Sequence, residues 1–199
     1  YWKKYYVIET NSNEIERSIK MTRFSSGANQ YDLVSFVKNK EASNILISPG
    51  SGGHAFVFAE LGYQMHLKGY NVFVMPRHGG VTISELLPRH HDALRHIGSN
   101  YNNRIGVFGE GLGGFATFYL SLAGGQMKSA AYQNAPVIMT EKKFQDAMKV
   151  GGGAARRRRM LLPFVKVLSR ILPRIKLPIR FYLDFKEMVD SKKENREIE

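Results

Sequence analysis

A cluster of glycines directly after an apolar run is the feature that most constrains this chain. Residues 105–108 read Ile-Gly-Val-Phe, and residues 109–114 read Gly-Glu-Gly-Leu-Gly-Gly. The apolar run predicts a buried strand, and glycines permit a tight reversal, so the segment predicts a strand that turns at once into a helix. Two motifs share this spacing. One is the G-x-S-x-G turn with Gly111 in place of serine, and the other is the phosphate-binding pattern G-x-G-x-x-G.

Strand-like and helix-like segments alternate along most of the chain. Apolar runs predict strands at 44–47, 71–75, 104–108 and 129–132, and helical patterns follow at 55–68, 84–97 and 112–123. This alternation with short loops predicts an α/β fold with a doubly wound, mostly parallel sheet. Two earlier runs, 5–8 and 19–24, predict a hairpin at the edge of that sheet. Three of the strands end in glycine-rich loops, at the edge where open α/β sheets bind ligands.

The chain divides in character near residue 140. We predict a core over 1–140 and a basic, helical segment over 141–199, joined near the three glycines at 151–153. The first residue is Tyr1, and 192–199 is a charged run. We therefore expect this sequence to be a piece of a longer protein, truncated at its C-terminus.

Positive charge is concentrated in one stretch. Lys and Arg number 29 against 17 acids, and nine of these bases lie in 154–180, which contains no acid. A basic amphipathic segment favours peripheral contact with an anionic membrane surface through 156–180. A helical cap with solvated arginines fits equally well. Aromatic side chains are too sparse there for nucleic-acid binding. No apolar run approaches the ~20 residues of a membrane span, so we expect a cytoplasmic protein.

The context of the glycine cluster separates its two interpretations. A dinucleotide site needs the first strand of the unit and an acid about 20 residues further on. Here the cluster follows the fifth strand-like run, the expected position falls near Ala131, and the next strand ends in Gln133-Asn134. We therefore predict no cofactor. A catalytic turn fits better, because Gly109 and Gly113 leave it room and because a second glycine-rich loop, 49–53, follows an earlier strand.

Residues 44–134 resemble the α/β-hydrolase superfamily, specifically its monoacylglycerol-lipase and serine-aminopeptidase-like branch. The loop 49–53, the turn Arg-His-Gly-Gly at 77–80 and the cluster 109–114 carry the resemblance. It implies that the chain acts on a small-molecule or lipid acyl ester and that 141–199 forms a lid. It also implies an oxyanion hole made by the backbone N–H groups of Ser51 and Leu112, beside a nucleophile elbow whose apex is Gly111.

The chain departs from the family at two positions. Pro49 stands where the family usually has histidine, and Gly111 stands where it has the nucleophilic serine. The acid and histidine of the triad normally lie beyond the lid, in a region that this chain does not contain. Glycine keeps the turn and removes the attacking oxygen. Glu110 is one residue short of the apex, so we expect it to point elsewhere rather than replace the nucleophile.

Three functions follow, in order. The first is a hydrolase scaffold of the lipase and esterase type with its nucleophile replaced. The second is a non-catalytic homologue that binds an acyl or apolar ligand or a partner, and the third is a dinucleotide-binding oxidoreductase.

The remaining polar candidates have simpler interpretations. His90, His91 and His96 do not converge on one helical face, so we predict a solvated face and no metal site. For His54 we predict a loop or helix-capping role. The absence of cysteine excludes disulfides, thiol catalysis and cysteine-based metal sites.

Overall fold

The computed structural model describes residues 2–50, 53–78, 83–134, 167, 170 and 171. Five α-helices lie in this part of the chain: α1 (Trp2–Tyr5), α2 (Ser12–Ser18), α3 (Ala59–Leu67), α4 (Ile83–Asn100) and α5 (Leu112–Ala123). Six strands accompany them: β1 (Lys20–Ser26), β2 (Asn29–Phe36), β3 (Asn44–Ser48), β4 (Asn71–Val74), β5 (Ile105–Glu110) and β6 (Ser129–Gln133). A 3-10 turn, Ala55–Phe58, leads into α3.

The strands form one sheet in the order β1-β2-β4-β3-β5-β6. Strands β4, β3, β5 and β6 are parallel, and β1 and β2 are antiparallel at one edge. The predicted mostly parallel α/β sheet is therefore confirmed. The crossing of β3 and β4 brings the carboxyl ends of β3 and β5 side by side, with Ser48 opposite Gly109.

The edge hairpin is present, but one of its two predicted strands is wrong. Residues 2–5 form α1 instead of a strand over 5–8, and the partner of β1 is β2. Gly27, with φ +55°, occupies the first position of the two-residue turn between them. Glycine at that position is typical of a type II′ hairpin turn, which matches the twist of the strands.

Helices cover both faces of the parallel strands, because neighbouring residues of a buried strand point to opposite sides. Leu46 packs with α4 residues Leu94 and Ile97 on one face. Ile47 packs on the other face with Ala59 of α3 and Ile15 of α2. β3 is buried almost throughout, so the residues at its carboxyl end are held by both layers.

The chain separates into two compact units, Tyr1–Val137 and Ile138–Glu199. The first contains all six strands named above. The predicted lid segment, 141–199, lies outside the described residues except at three positions, so its boundaries stay a prediction. In the part of the chain that the structure describes, no helix is both long enough and apolar enough to cross a membrane.

Candidate functional site

The glycine cluster forms a sharp turn between β5 and α5. Gly111 has φ +54° and ψ −116°, close to the first central position of a type II′ turn at about +60° and −120°. Its N–H donates to the carbonyl of Gln133 at 3.0 Å, and its carbonyl accepts from Phe115 N–H at 3.0 Å. A side chain rarely adopts this backbone conformation, which explains the glycine.

Two neighbouring glycines are required by packing rather than by conformation. A Cβ at Gly109 would collide with the backbone of Gly113, and a Cβ at Gly113 would collide with the carbonyl of Ser48. At Gly111 the nearest atom to such a Cβ would be Cα of Gly50, at 3.4 Å. The strand and helix thus touch around the apex, while the apex itself has room for a side chain.

The two predicted oxyanion donors have different standing. Leu112 is the first residue of α5, and its half-buried side chain packs with Leu86, Phe115 and Ala116. The N–H of a first helical residue has no acceptor within its own helix, so that of Leu112 can serve a ligand. Ser51 lies outside the described residues, and its role stays a prediction.

Glu110 reaches the loop that follows β3. Its Oε2 accepts a hydrogen bond from Gly50 N–H at 2.9 Å. The approach depends on glycine, because a Cβ at Gly50 would lie 2.5 Å from that oxygen. The carboxylate is half-buried and is joined to the same loop that the resemblance associates with the oxyanion hole.

A cluster of polar side chains lies buried where β3 ends, and the sequence had not pointed to it. Ser48, His78, Arg89 and His90 are each at most 3% exposed. Oγ of Ser48 lies 2.6 Å from Nε2 of His90 and 3.0 Å from Nε2 of His78. The cluster joins the ends of β3 and β4 to one face of α4.

The hydrogen-bond partners assign the tautomers of both imidazoles. Nδ1 of His90 donates to the carbonyl of Leu86 at 2.7 Å, so its Nε2 accepts from the Ser48 hydroxyl. Nη2 of Arg89 donates to Nδ1 of His78 at 2.7 Å, so Nε2 of His78 donates to Ser48. Protons therefore point one way along the chain of contacts, from Arg89 to Leu86, and both histidines are neutral.

Burial keeps these groups uncharged. It lowers the pKa of His78 to about 3, with the charges of His90 and Arg89 acting in the same direction. It also lowers the pKa of His90 to about 4. The guanidinium of Arg89 lies 4.8 Å from the ring centre of Tyr31, and its buried Nε has no hydrogen-bond partner.

The histidine predictions divide. The solvated face predicted for α4 is wrong at His90, which is fully buried. His91 and His96 are half-buried, and His91 contacts Gln126 at 3.4 Å. Within the described ranges no cluster of His, Asp and Glu could hold a metal ion. The capping role of His54 is confirmed, because its Nδ1 accepts from Phe56 N–H at 3.2 Å at the start of the 3-10 turn.

The burial of His90 had a signal in the sequence. Leu86, Ala93 and Ile97 are buried on α4, and His90 falls on the same stripe at spacings of three, four and seven. The link to Ser48 had none, because it joins residues 42 positions apart.

Comparison with known proteins relates the fold to solved structures. No family model and no curated protein sequence matches the chain. An esterase from Pyrococcus furiosus is 20% identical with a TM-score of 0.56, over 85% of this chain and 68% of that one. A candidate dienelactone hydrolase from Klebsiella pneumoniae is 14% identical with a TM-score of 0.54, over 61% of each chain.

A third match has a different activity by name. The bottromycin epimerase BotH is 16% identical with a TM-score of 0.51, over 73% of this chain and 62% of its own. The chain spans only 45% and 57% of two other matched structures. At these identities the likeness establishes the fold alone. This chain has an α/β-hydrolase fold, and its chemistry must be argued from its own residues.

Proposed function

We propose that this chain forms the acyl-ester site of a hydrolase of the monoacylglycerol-lipase and serine-aminopeptidase-like branch, centred on the turn at Gly111. The observation that carries the proposal is the backbone of Gly111, with φ +54° and ψ −116° between β5 and α5. A strained strand-to-helix turn of this kind presents a nucleophile in α/β-hydrolases. Because residue 111 has no side chain, no acyl-serine intermediate forms there.

The rest of the site is made from backbone donors. In this proposal the N–H of Leu112 and that of Ser51 hold the carbonyl oxygen of a carboxylic ester while negative charge develops on it. Backbone donors do not depend on the side chain at the apex. The turn can therefore bind the ester carbonyl although it supplies no nucleophile.

Restoring the missing oxygen tests this proposal. In the full-length protein, Gly111→Ser should raise hydrolysis of a short-chain p-nitrophenyl ester and make the protein react with a fluorophosphonate probe. Gly111→Ala is the matched control, because it imposes the same backbone strain without an oxygen. If a correctly folded Gly111→Ser variant shows neither hydrolysis nor labelling above the alanine control, the ester site is refuted.

A non-catalytic role is the second candidate, favoured by the absence of a side-chain oxygen at residue 111. Such a protein would bind an acyl or apolar ligand or a partner without turnover. Calorimetric titration with a fatty acid separates the two functions. Binding to the wild type, with no ester hydrolysis by any apex variant, would favour this candidate over the first.

A further inference from the structure

A carboxylate is held next to the empty apex. Glu110 is the last residue of β5, and its Oε2 is fixed by the N–H of Gly50 at 2.9 Å. Gly50 is also the residue nearest to the apex, because a Cβ at Gly111 would lie 3.4 Å from its Cα. One residue therefore contacts both the carboxylate and the space that a serine side chain would fill.

The second oxygen of this carboxylate is available. Across the described residues, Oε1 of Glu110 has no hydrogen-bond partner, and no Lys, Arg or His forms an ion pair with the group. That absence is notable in a chain of formal charge +12. An ionised carboxylate only accepts hydrogen bonds, so the free oxygen is suited to a proton donor from outside the protein.

The apex next to it is open. Of the atoms around Gly111, only Cα of Gly50 comes within 4 Å of an added Cβ. Serine at this position would place its hydroxyl group there. With glycine, the same volume is free for a water molecule.

We propose that Glu110 is the general base of this site and that a water molecule at Gly111 is the nucleophile. The inference rests on the proposed acyl-ester site. Oε1 of Glu110 accepts a proton from the water as its oxygen bonds to the ester carbonyl carbon. The carbonyl becomes an oxyanion, which then reforms while the bond to the alcohol oxygen breaks. The leaving alkoxide takes the proton from Glu110, so the products are one carboxylic acid and one alcohol, and the carboxylate is regenerated.

This mechanism gives Gly111 a role that serine could not have. A serine hydroxymethyl would occupy the position of the water, and the reaction would then pass through an acyl-enzyme. Direct attack by water forms no covalent intermediate. The wild type should therefore hydrolyse esters without an initial burst of alcohol and without reacting with a fluorophosphonate.

The test compares variants of residue 110 in the full-length protein with p-nitrophenyl acetate as the probe. Glu110→Gln keeps an amide oxygen that can accept from Gly50 N–H, but it cannot take up the proton. A positioned general base contributes about 10²–10⁴-fold, so we expect a loss of at least ~100-fold in kcat with a smaller change in KM. Glu41→Gln, an exposed change of the same kind, is the matched control.

Chemical rescue distinguishes a base from a structural anchor. Glu110→Ala opens space beside the apex, and added formate should restore part of its activity in proportion to the formate concentration. Folding of each variant is checked by far-ultraviolet circular dichroism. Formate has no means of restoring a lost structural contact, so rescue would exclude a purely structural role.

The outcomes separate the two proposals. Loss of activity in Glu110→Gln, with formate rescue of Glu110→Ala, supports the general base. A Glu110→Gln variant as active as the wild type overturns it. If the wild type is inactive but Gly111→Ser hydrolyses the ester, the general base is overturned and the acyl-ester site stands. If no variant is active, both proposals are overturned.

Discussion

The hydroxyl of Ser48 donates to Nε2 of His90 across 2.6 Å, although 42 residues separate them in the sequence. Both side chains are fully buried. The same hydroxyl accepts from His78, so one oxygen satisfies two imidazoles that water cannot reach. This bond ties the end of β3, and with it the loop that carries Gly50, to helix α4. The ligand edge of the sheet is thus fixed by a neutral polar network.

Removing that oxygen should destabilise the protein. Ser48→Ala leaves a donor on His78 and an acceptor on His90 without partners. Each unsatisfied buried group costs about 1–3 kcal/mol, so we expect the free energy of unfolding to fall by roughly 2–5 kcal/mol. Urea denaturation measures this change. Ser121→Ala, at an exposed serine, is the control, and equal effects of the two substitutions would contradict the network.

The glycines of the turn should respond differently to alanine. Gly113→Ala would force a Cβ against the carbonyl of Ser48, and we expect a loss of more than about 3 kcal/mol in unfolding free energy. Gly111→Ala meets no such clash and should cost about 1–3 kcal/mol through backbone strain. Gly27→Ala, at φ +55° with no atom within 4 Å, gives the cost of strain alone. Thermal unfolding should rank Gly113→Ala as the least stable, and any other order would count against the packing.

Glu60 should hold the N-terminal segment on α3. Its carboxylate accepts from the N–H groups of Ile8, Glu9 and Thr10 at 2.7, 3.0 and 2.6 Å. Burial raises the pKa of Glu60, but these hydrogen bonds outweigh it and lower the pKa to about 2. Bonds to a charged acceptor contribute about 1.5–3 kcal/mol, reduced here by solvent screening. We expect Glu60→Gln to speed hydrogen exchange at 8–10 about tenfold, whereas Glu9→Gln should leave it unchanged.

The sequence was sufficient for the order and type of most elements, because those depend on local patterns. The runs at 44–47 and 71–75 are buried strands, and the glycine cluster begins a helix as predicted. β2 was missed because polar residues such as Gln30 and Asp32 interrupt its apolar pattern. The run 5–8 looked like a strand, but it has no neighbouring strand to pair with in the described sheet.

The candidate site was harder to foresee, because its contacts are long-range. The position and glycine requirement of residue 111 follow from spacing alone. The approach of Glu110 to Gly50 depends on the placing of β5 next to β3, which no local pattern gives. The same holds for Ser48 and the two histidines, since a serine at a strand end carries no mark of what faces it.

The buried histidines also set the pH dependence of stability. The pKa values of His78 and His90 fall from 6.5 to about 3 and about 4 in the folded chain, chiefly through burial. The unfolded state therefore binds more protons below pH 6.5. Their contribution to stability is fully present above that pH and is lost as the pH falls towards the folded pKa values. Each imidazole should lower the free energy of unfolding by about 1.4 kcal/mol per pH unit in this window.

Urea unfolding at pH 8, 7, 6 and 5 measures this dependence. We expect a nearly constant free energy of unfolding between pH 8 and 7 and a steepening loss below about 6.5. His90→Leu removes one of the two titrating groups, so it should halve the slope whatever it does to stability at neutral pH. The Glu60 carboxylate does not interfere, because its contribution is lost only as the pH falls from 4.5 towards 2. A slope unchanged by His90→Leu would mean that His90 is not kept neutral by its buried partners.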